Sequence, residues 1–282
     1  MSPAARVAAI ASVLALASPT SGLPAPGGSG PAGVLLERLT WAEAEPLLRP
    51  DTVVVIPLGA QAKEHGLHLR LDTDWVMAEY FKKRILERAN VVVAPTVNYS
   101  YYPAFVEYPG STTLELQTAR DVIVQICRTL SGFGPRRFYV INIGVSTVRA
   151  LEPAVEMLAK EGIALRFADV LKLTGPIAKR IARQEGGTHA DEIETSMVLF
   201  IEPGSVRMDL ARKDFEPRKG VRLTRLRDTP NTYSPTGVWG DATLATAKKG
   251  EELVHGMLDG MLAEIEALRA APLPAPPSPA AQ

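Results

Sequence analysis

Val53-Val54-Val55-Ile56-Pro57-Leu58 runs directly into Gly59-Ala60-Gln61-Ala62-Lys63-Glu64-His65-Gly66-Leu67-His68-Leu69-Arg70-Leu71-Asp72-Thr73-Asp74, and Trp75 to Arg88 follows. The first segment is an unbroken apolar run of strand length, and the last has a helical pattern. A strand covered on both faces reads as such a run, whereas a half-exposed strand alternates. The unit therefore predicts a strand inside a covered sheet, a polar loop, and a helix.

The pattern repeats along the chain. Val91 to Val97, Phe138 to Ile143 and Ala164 to Val170 are expected strands, and Leu116 to Leu130, Thr147 to Lys160 and Gly175 to Gln184 are expected helices. Pro153 is expected to kink or delay the second of these helices. Strands joined by helices predict an α/β fold, a three-layer sandwich with a mostly parallel central sheet. The 282 residues, 46% hydrophobic, suffice for one large domain or two small ones, with the folded body at 34–270. Pro, Gly and Ser mark 23–33 as a linker, and Ala and Pro mark 271–282 as a disordered tail. Arg6, the apolar run Val7 to Ala17 and the small residues around it predict a signal peptide over 1–22, hence export to a periplasm or to the outside. That run is too short to span a bilayer.

The 31 basic and 31 acidic residues cancel. With no basic run either, the sequence argues against nucleic acid and membrane surfaces as partners, and for a small molecule. The single cysteine, Cys127, lies in an apolar run and is expected to be a core thiol.

Ligands in such sheets sit beyond the carboxyl ends of the strands, which directs attention to the loops after Leu58, Val97, Ile143 and Val170. The first gathers two of the four histidines with Glu64, Asp72 and Asp74. These are donor types that zinc, manganese and iron accept, although a solvated polar loop has the same composition. A second candidate lies at Thr188-His189-Ala190-Asp191-Glu192-Ile193-Glu194-Thr195-Ser196, read as a helix with Thr188 as N-cap and Asp191 as a capping-box relative. On its wheel Glu194 falls in the apolar arc with Val198 and Ile201, where a carboxylate needs a metal, a cation or hydrogen-bond donors. A rotated helix that leaves Glu194 at the boundary is the alternative. His189 in the first turn would be held neutral by the helix dipole, as suits a general base, or would be an exposed helix-start residue.

Together the two segments resemble the creatininase (creatinine amidohydrolase) family. That family carries Gly-Ser-x-Glu-Gln-His-Gly-Pro-His-Leu-Pro-Leu-x-Thr-Asp after its first strand, matched here by His65-Gly66-Leu67-His68-Leu69, Leu71, Thr73 and Asp74. Its His-Ala-Gly-x-x-Glu-Thr-Ser is matched by His189, Ala190, Glu194, Thr195 and Ser196, with Asp191 for the glycine. Thr236 to Asp241 and Ala245 to Gly250 resemble its closing loop and final helix, so the likeness runs from about Leu36 to Leu268. It implies a creatininase-like fold and a metal pair bound by the glutamate, the first histidine and the aspartate. Carried over, these are Glu64, His65 and Asp74, with Lys63 standing in the glutamate's place and a one-residue bulge needed to bring Glu64 in. The resemblance further implies that His189 handles protons, that Glu194 supports the metal and its water, and that the chain forms a homo-oligomer, a hexamer.

Two departures stand out. Asn142-Ile143-Gly144-Val145-Ser146-Thr147 puts glycine where the family has a metal-binding histidine and serine where creatininase has a glutamate, which predicts one divalent ion per chain (Zn, Mn or Fe) instead of two. Tyr99, Tyr101, Tyr102, Phe105 and Tyr108 crowd the loop after the second strand, as core packing or as a flat wall for a planar ligand. The expected function is metal-dependent hydrolysis of a C–N amide bond in a small or cyclic amide, with Glu194 also a possible ligand and His68 orienting a ligand from behind. Two alternatives stay open. One is a catalytically degenerate binder whose Lys63 pairs with Glu194 or Asp74; the other is an enzyme with Lys63 as nucleophile.

Overall fold

The computed structural model describes residues 32–217, 219–220 and 222–275. The expected signal peptide, most of the expected linker and the end of the expected tail lie outside these residues. In chain order the elements are β1 (Val34–Leu35), α1 (Trp41–Ala44), β2 (Val53–Leu58), α2 (Thr73–Arg88), β3 (Val92–Val93), α3 (Leu116–Ser131), β4 (Arg137–Asn142), α4 (Val148–Ala159), β5 (Ala164–Phe167), α5 (Val170–Ile181) and α6 (Glu192–Ile201). Four two-residue strands follow, β6 (Lys213–Asp214), β7 (Leu223–Thr224), β8 (Thr232–Tyr233) and β9 (Gly240–Asp241), and then the long α7 (Ala247–Ala270).

The central sheet has the order β1-β3-β2-β4-β5 with every pair parallel. β2 lies in the middle, in register with β4 from Val53 opposite Arg137 to Leu58 opposite Asn142. Its side chains alternate between two cores. Val53 and Val55 meet Phe81 and Ile85 of α2 with Met257 and Met261 of α7, while Val54 and Ile56 meet Ile123 and Cys127 of α3 with Leu151 and Leu158 of α4. Helices cover both faces, which explains why β2 is apolar at every position. Cys127 is fully buried, and burial pushes its thiol up, as a core residue requires.

Several boundaries differ from the sequence reading. The second strand shrinks to Val92–Val93, and Val97 returns only as an isolated bridge to Leu58. Asp169 ends the last strand early, because its carboxylate accepts from the Lys172 amide at 3.2 Å and caps α5. Thus α5 starts at Val170, ahead of the expected Gly175. α4 starts at Val148 and runs through Pro153 to Ala159. The loops that follow β2, β4 and β5 gather at one end of the sheet with the start of α6.

Candidate active site

The loop after β2 is fixed by backbone bonds from Lys63 N to Leu71 O at 3.0 Å and from Thr112 N to Ala62 O at 2.8 Å. It turns at Gly66, whose φ of +72° is a glycine conformation. This brings His65 against Asp74 in the first turn of α2, with Nε2 2.8 Å from Asp74 Oδ1, both side chains fully buried. His65 Nδ1 lies 2.9 Å from the Lys63 carbonyl, which can only accept, so that nitrogen carries the hydrogen. Unless both ring nitrogens are protonated, the Nε2 lone pair then faces a carboxylate oxygen. Glu194 Oε1 lies 3.8 Å from the same Nε2. A buried imidazole lone pair faced by two carboxylate oxygens calls for a cation.

α6 supplies Glu194, but the helix does not begin at Thr188. Asp191 is its cap, accepting from the amides of Ile193 at 3.0 Å and Glu194 at 2.9 Å. His189 therefore lies before the helix, in a bridge where Trp239 N donates to His189 O at 2.9 Å, and the dipole argument does not apply to it. It is buried, not an exposed helix-start residue. Its ring is oriented by Glu64, whose Oε2 is 3.1 Å from His189 Nε2, and by the Phe105 ring at a centroid distance of 4.1 Å. His189 Nδ1 lies 3.6 Å from Glu194 Oε2, which also accepts from the Ala190 amide at 2.6 Å.

All five expected site residues thus meet in one cluster. Donor atoms of His65, His189 and Glu194 lie within 4.8 Å of one another, a group able to hold a metal ion. Asp74 abuts His65, and Glu64 backs His189. The Glu64 carboxylate also accepts from the Gly66 amide, and Gly237, at φ +78°, packs on it so closely that a side chain there would strike it. His68 reaches none of these groups. Its Nε2 bonds Thr195 Oγ1 at 2.7 Å and ties the loop to α6, and burial pushes its imidazole down to about 4 against the opposing pull of Glu194.

Two features lie outside the five expected site residues. Of the two partners weighed for Lys63, the structure pairs it with Asp74: Nζ lies 2.7 Å from Asp74 Oδ2, off the hydrogen-bond direction, so the contact is a charge pair. The Tyr102 and Phe105 rings stand over the ammonium, each with its centroid 5.2 Å away. Burial acts to raise the Asp74 carboxyl, but the Lys63 and His65 charges outweigh it and hold the group well below the usual carboxylate range. So engaged, Lys63 is not presented as a free amine nucleophile. The second feature is Glu192, fully buried, which pairs with Lys249 at the start of α7 and accepts from the amides of Arg183 and Gln184 at 2.8 and 2.7 Å. It joins three segments behind the site.

The loop after β4 offers no ligand. Asn142 Nδ2 donates to Gly144 O at 2.8 Å, Thr147 Oγ1 donates to the same carbonyl at 2.7 Å, and Ser146 Oγ donates to Tyr101 O at 2.9 Å. Part of the aromatic loop packs as core, and one of its rings also reaches a cavity. Tyr102, Phe105 and Tyr108 form a small buried core with Leu223, and Phe105 also lines a cavity of about 300 Å³ with Lys63, Val145, His189, Glu194 and Trp239. The cavity is large enough for a small molecule.

Comparisons with known proteins agree with the fold. Residues 37–265 match the family model described as Creatininase, creatinine amidohydrolase. The mycofactocin precursor peptide peptidase of Mycobacterium tuberculosis is 29% identical over 217 residues, 73% of this chain and 81% of that protein. Creatinine amidohydrolase of Pseudomonas putida is 26% identical over 247 residues, 81% of this chain and 94% of that one. The 3-dehydro-scyllo-inosose hydrolase of Thermotoga maritima is 25% identical over 257 residues, 81% of each chain. A crystal structure of creatinine amidohydrolase superposes with a TM-score of 0.70 at 22% identity, covering 84% of this chain and 98% of that one, which speaks to the fold.

Proposed function

The chain belongs to the creatininase family, and from that premise we propose that it is a metal-dependent hydrolase of a C–N amide bond in a small or cyclic substrate. The observation that carries the reading is the group of donor atoms from His65, His189 and Glu194 within 4.8 Å of one another, with Asp74 Oδ1 2.8 Å from His65 Nε2, beside a cavity. His65, Asp74 and Glu194 would hold one divalent ion, with His189 next to it. Relatives named for hydrolysis of an amide or peptide bond, and related structures named for manganese and zinc, support the choice of reaction and group.

When bound, such an ion polarises a carbonyl and supplies ionised water as the nucleophile. The protein's own groups do the rest. Phe105 and Trp239 wall the cavity for the apolar part of an amide. His189, oriented by Glu64 and exposed to the cavity, accepts the proton of the attacking water and returns it to the leaving nitrogen. Glu64 keeps that ring in one orientation, as a carboxylate partner does for a working imidazole.

The test is elemental metal content with hydrolysis of an amide panel, wild type beside Asp74→Asn. Wild type should hold about one divalent ion per chain and lose both ion and hydrolysis in the variant. A wild-type protein that binds no ion after growth with zinc and manganese would overturn the reading. It would favour the second one, a binder without hydrolysis, for which the buried Lys63–Asp74 pair is the supporting observation.

A further inference from the structure

The cluster already contains a cation. Lys63 has a side chain only 6% exposed, and its ammonium is fixed between the Asp74 carboxylate at 2.7 Å and the faces of two aromatic rings. Placing an ammonium there costs its hydration unless partners replace the water, and here a carboxylate and two rings do so.

Counting charge shows what this cation does. Glu64, Asp74 and Glu194 contribute three negative charges and Lys63 one positive charge, so with neutral imidazoles the cluster carries −2. One divalent ion brings it to zero. A second would leave +2 in a site whose walls are mostly buried, which is strongly unfavourable. A glutamate at Lys63, as in the pattern that this loop resembles, would make the cluster −4, so the lysine replaces the charge of one divalent ion.

The space agrees with the charge. A Cβ built on Gly144 would stand 3.2 Å from Tyr102 Cε1 and 2.9 Å from Thr147 Oγ1. The ring that faces Lys63 thus occupies the room a longer side chain from the β4 loop would need. The buried Tyr102 hydroxyl has no hydrogen-bond partner, and burial together with Asp74 keeps it a neutral phenol.

We propose that the Lys63 ammonium is the fixed second cation of a one-ion centre: it occupies the outer oxygen of Asp74, limits the site to one divalent ion, and presents its positive charge to the substrate from the cavity wall. The inference rests on the metal-hydrolase reading, and the experiment separates the two. Metal-free full-length protein is titrated with Zn²⁺ or Mn²⁺ and counted by native mass spectrometry, wild type beside Lys63→Glu. Wild type should saturate at one ion and Lys63→Glu at two. Two ions in wild type would sink the Lys63 proposal and leave the hydrolase reading standing, and none would remove both. A folded Lys63→Glu that stops at one ion also counts against the proposal. Should that variant fail to fold, ¹⁵N NMR of the wild-type lysine ammonium groups decides: a slowly exchanging Lys63 signal should persist through one equivalent of metal, and its loss overturns the proposal.

Discussion

Single side chains in this protein are legible through their bonds. His68 is buried beside the cluster with Nδ1 unpartnered, and its imidazole is pushed down to about 4 from an ordinary 6.5. Between those values the unfolded chain takes up a proton that the native protein refuses, so stability falls as pH drops through the window. Metal-free wild type should lose about 2 kcal/mol more than His68→Gln between pH 7 and pH 4.5, measured by urea unfolding. Equal losses would show that His68 is not the responsible group. Residue types made His65, Asp74, His189 and Glu194 candidates, and the resemblance to the creatininase pattern, which also pointed to Glu64, gave them their roles. The sequence offered Glu194 and Asp74 as partners for Lys63 without choosing between them, and it could not show that Glu64 turns toward His189, 125 positions away, because that contact depends on how two distant loops close on each other.

At the scale of the element, the start of α6 decides where the chemistry sits. Thr188 and Asp191 both have N-cap chemistry, and periodicity alone does not choose between them; Asp191 wins because its carboxylate reaches two amides and is itself held by Gln184 Nε2 at 2.5 Å. Burial raises the Asp191 carboxyl to about 6, against the pull of Gln184 and of those amides. An acid raised in this way costs stability as pH rises from its unfolded value through about 6. Asp191→Asn keeps the Oδ1 acceptor for the two amides and removes the buried charge but sets its own amide against Gln184 Nε2, so at pH 8 it should lose less stability than Asp191→Ala. Asp191→Ala should lose about 1–2 kcal/mol in chemical denaturation. The same competition explains the misread edges elsewhere. β2 and β4 were readable because an apolar run buried on both faces has one meaning, whereas Ala164 to Val170 hid a helix cap, Asp169, inside what looked like one strand.

Across the whole molecule, the layers place the working loops at one end and support them from far away. α7 reaches from the site to the opposite edge: Thr246 N donates to Ser196 Oγ on α6 at 3.0 Å, while Arg137, at the start of β4, donates to the Leu268 and Ala271 carbonyls at 3.2 and 3.0 Å. Export rests on the sequence of residues 1–22, and we propose it together with assembly into a homo-oligomer. Intact mass of protein from the periplasm or medium should lack the leader, and a full-length mass confined to the cytoplasm would refute export. The Lys63–Asp74 pair has one more consequence, which concerns supply. An ammonium is made with the chain and cannot be stripped by a chelator or lost to a competing protein, so one third of the positive charge in the proposed one-ion centre does not depend on the metal available to the cell. If exported as proposed, the protein would need to capture a single ion outside the cell to be complete.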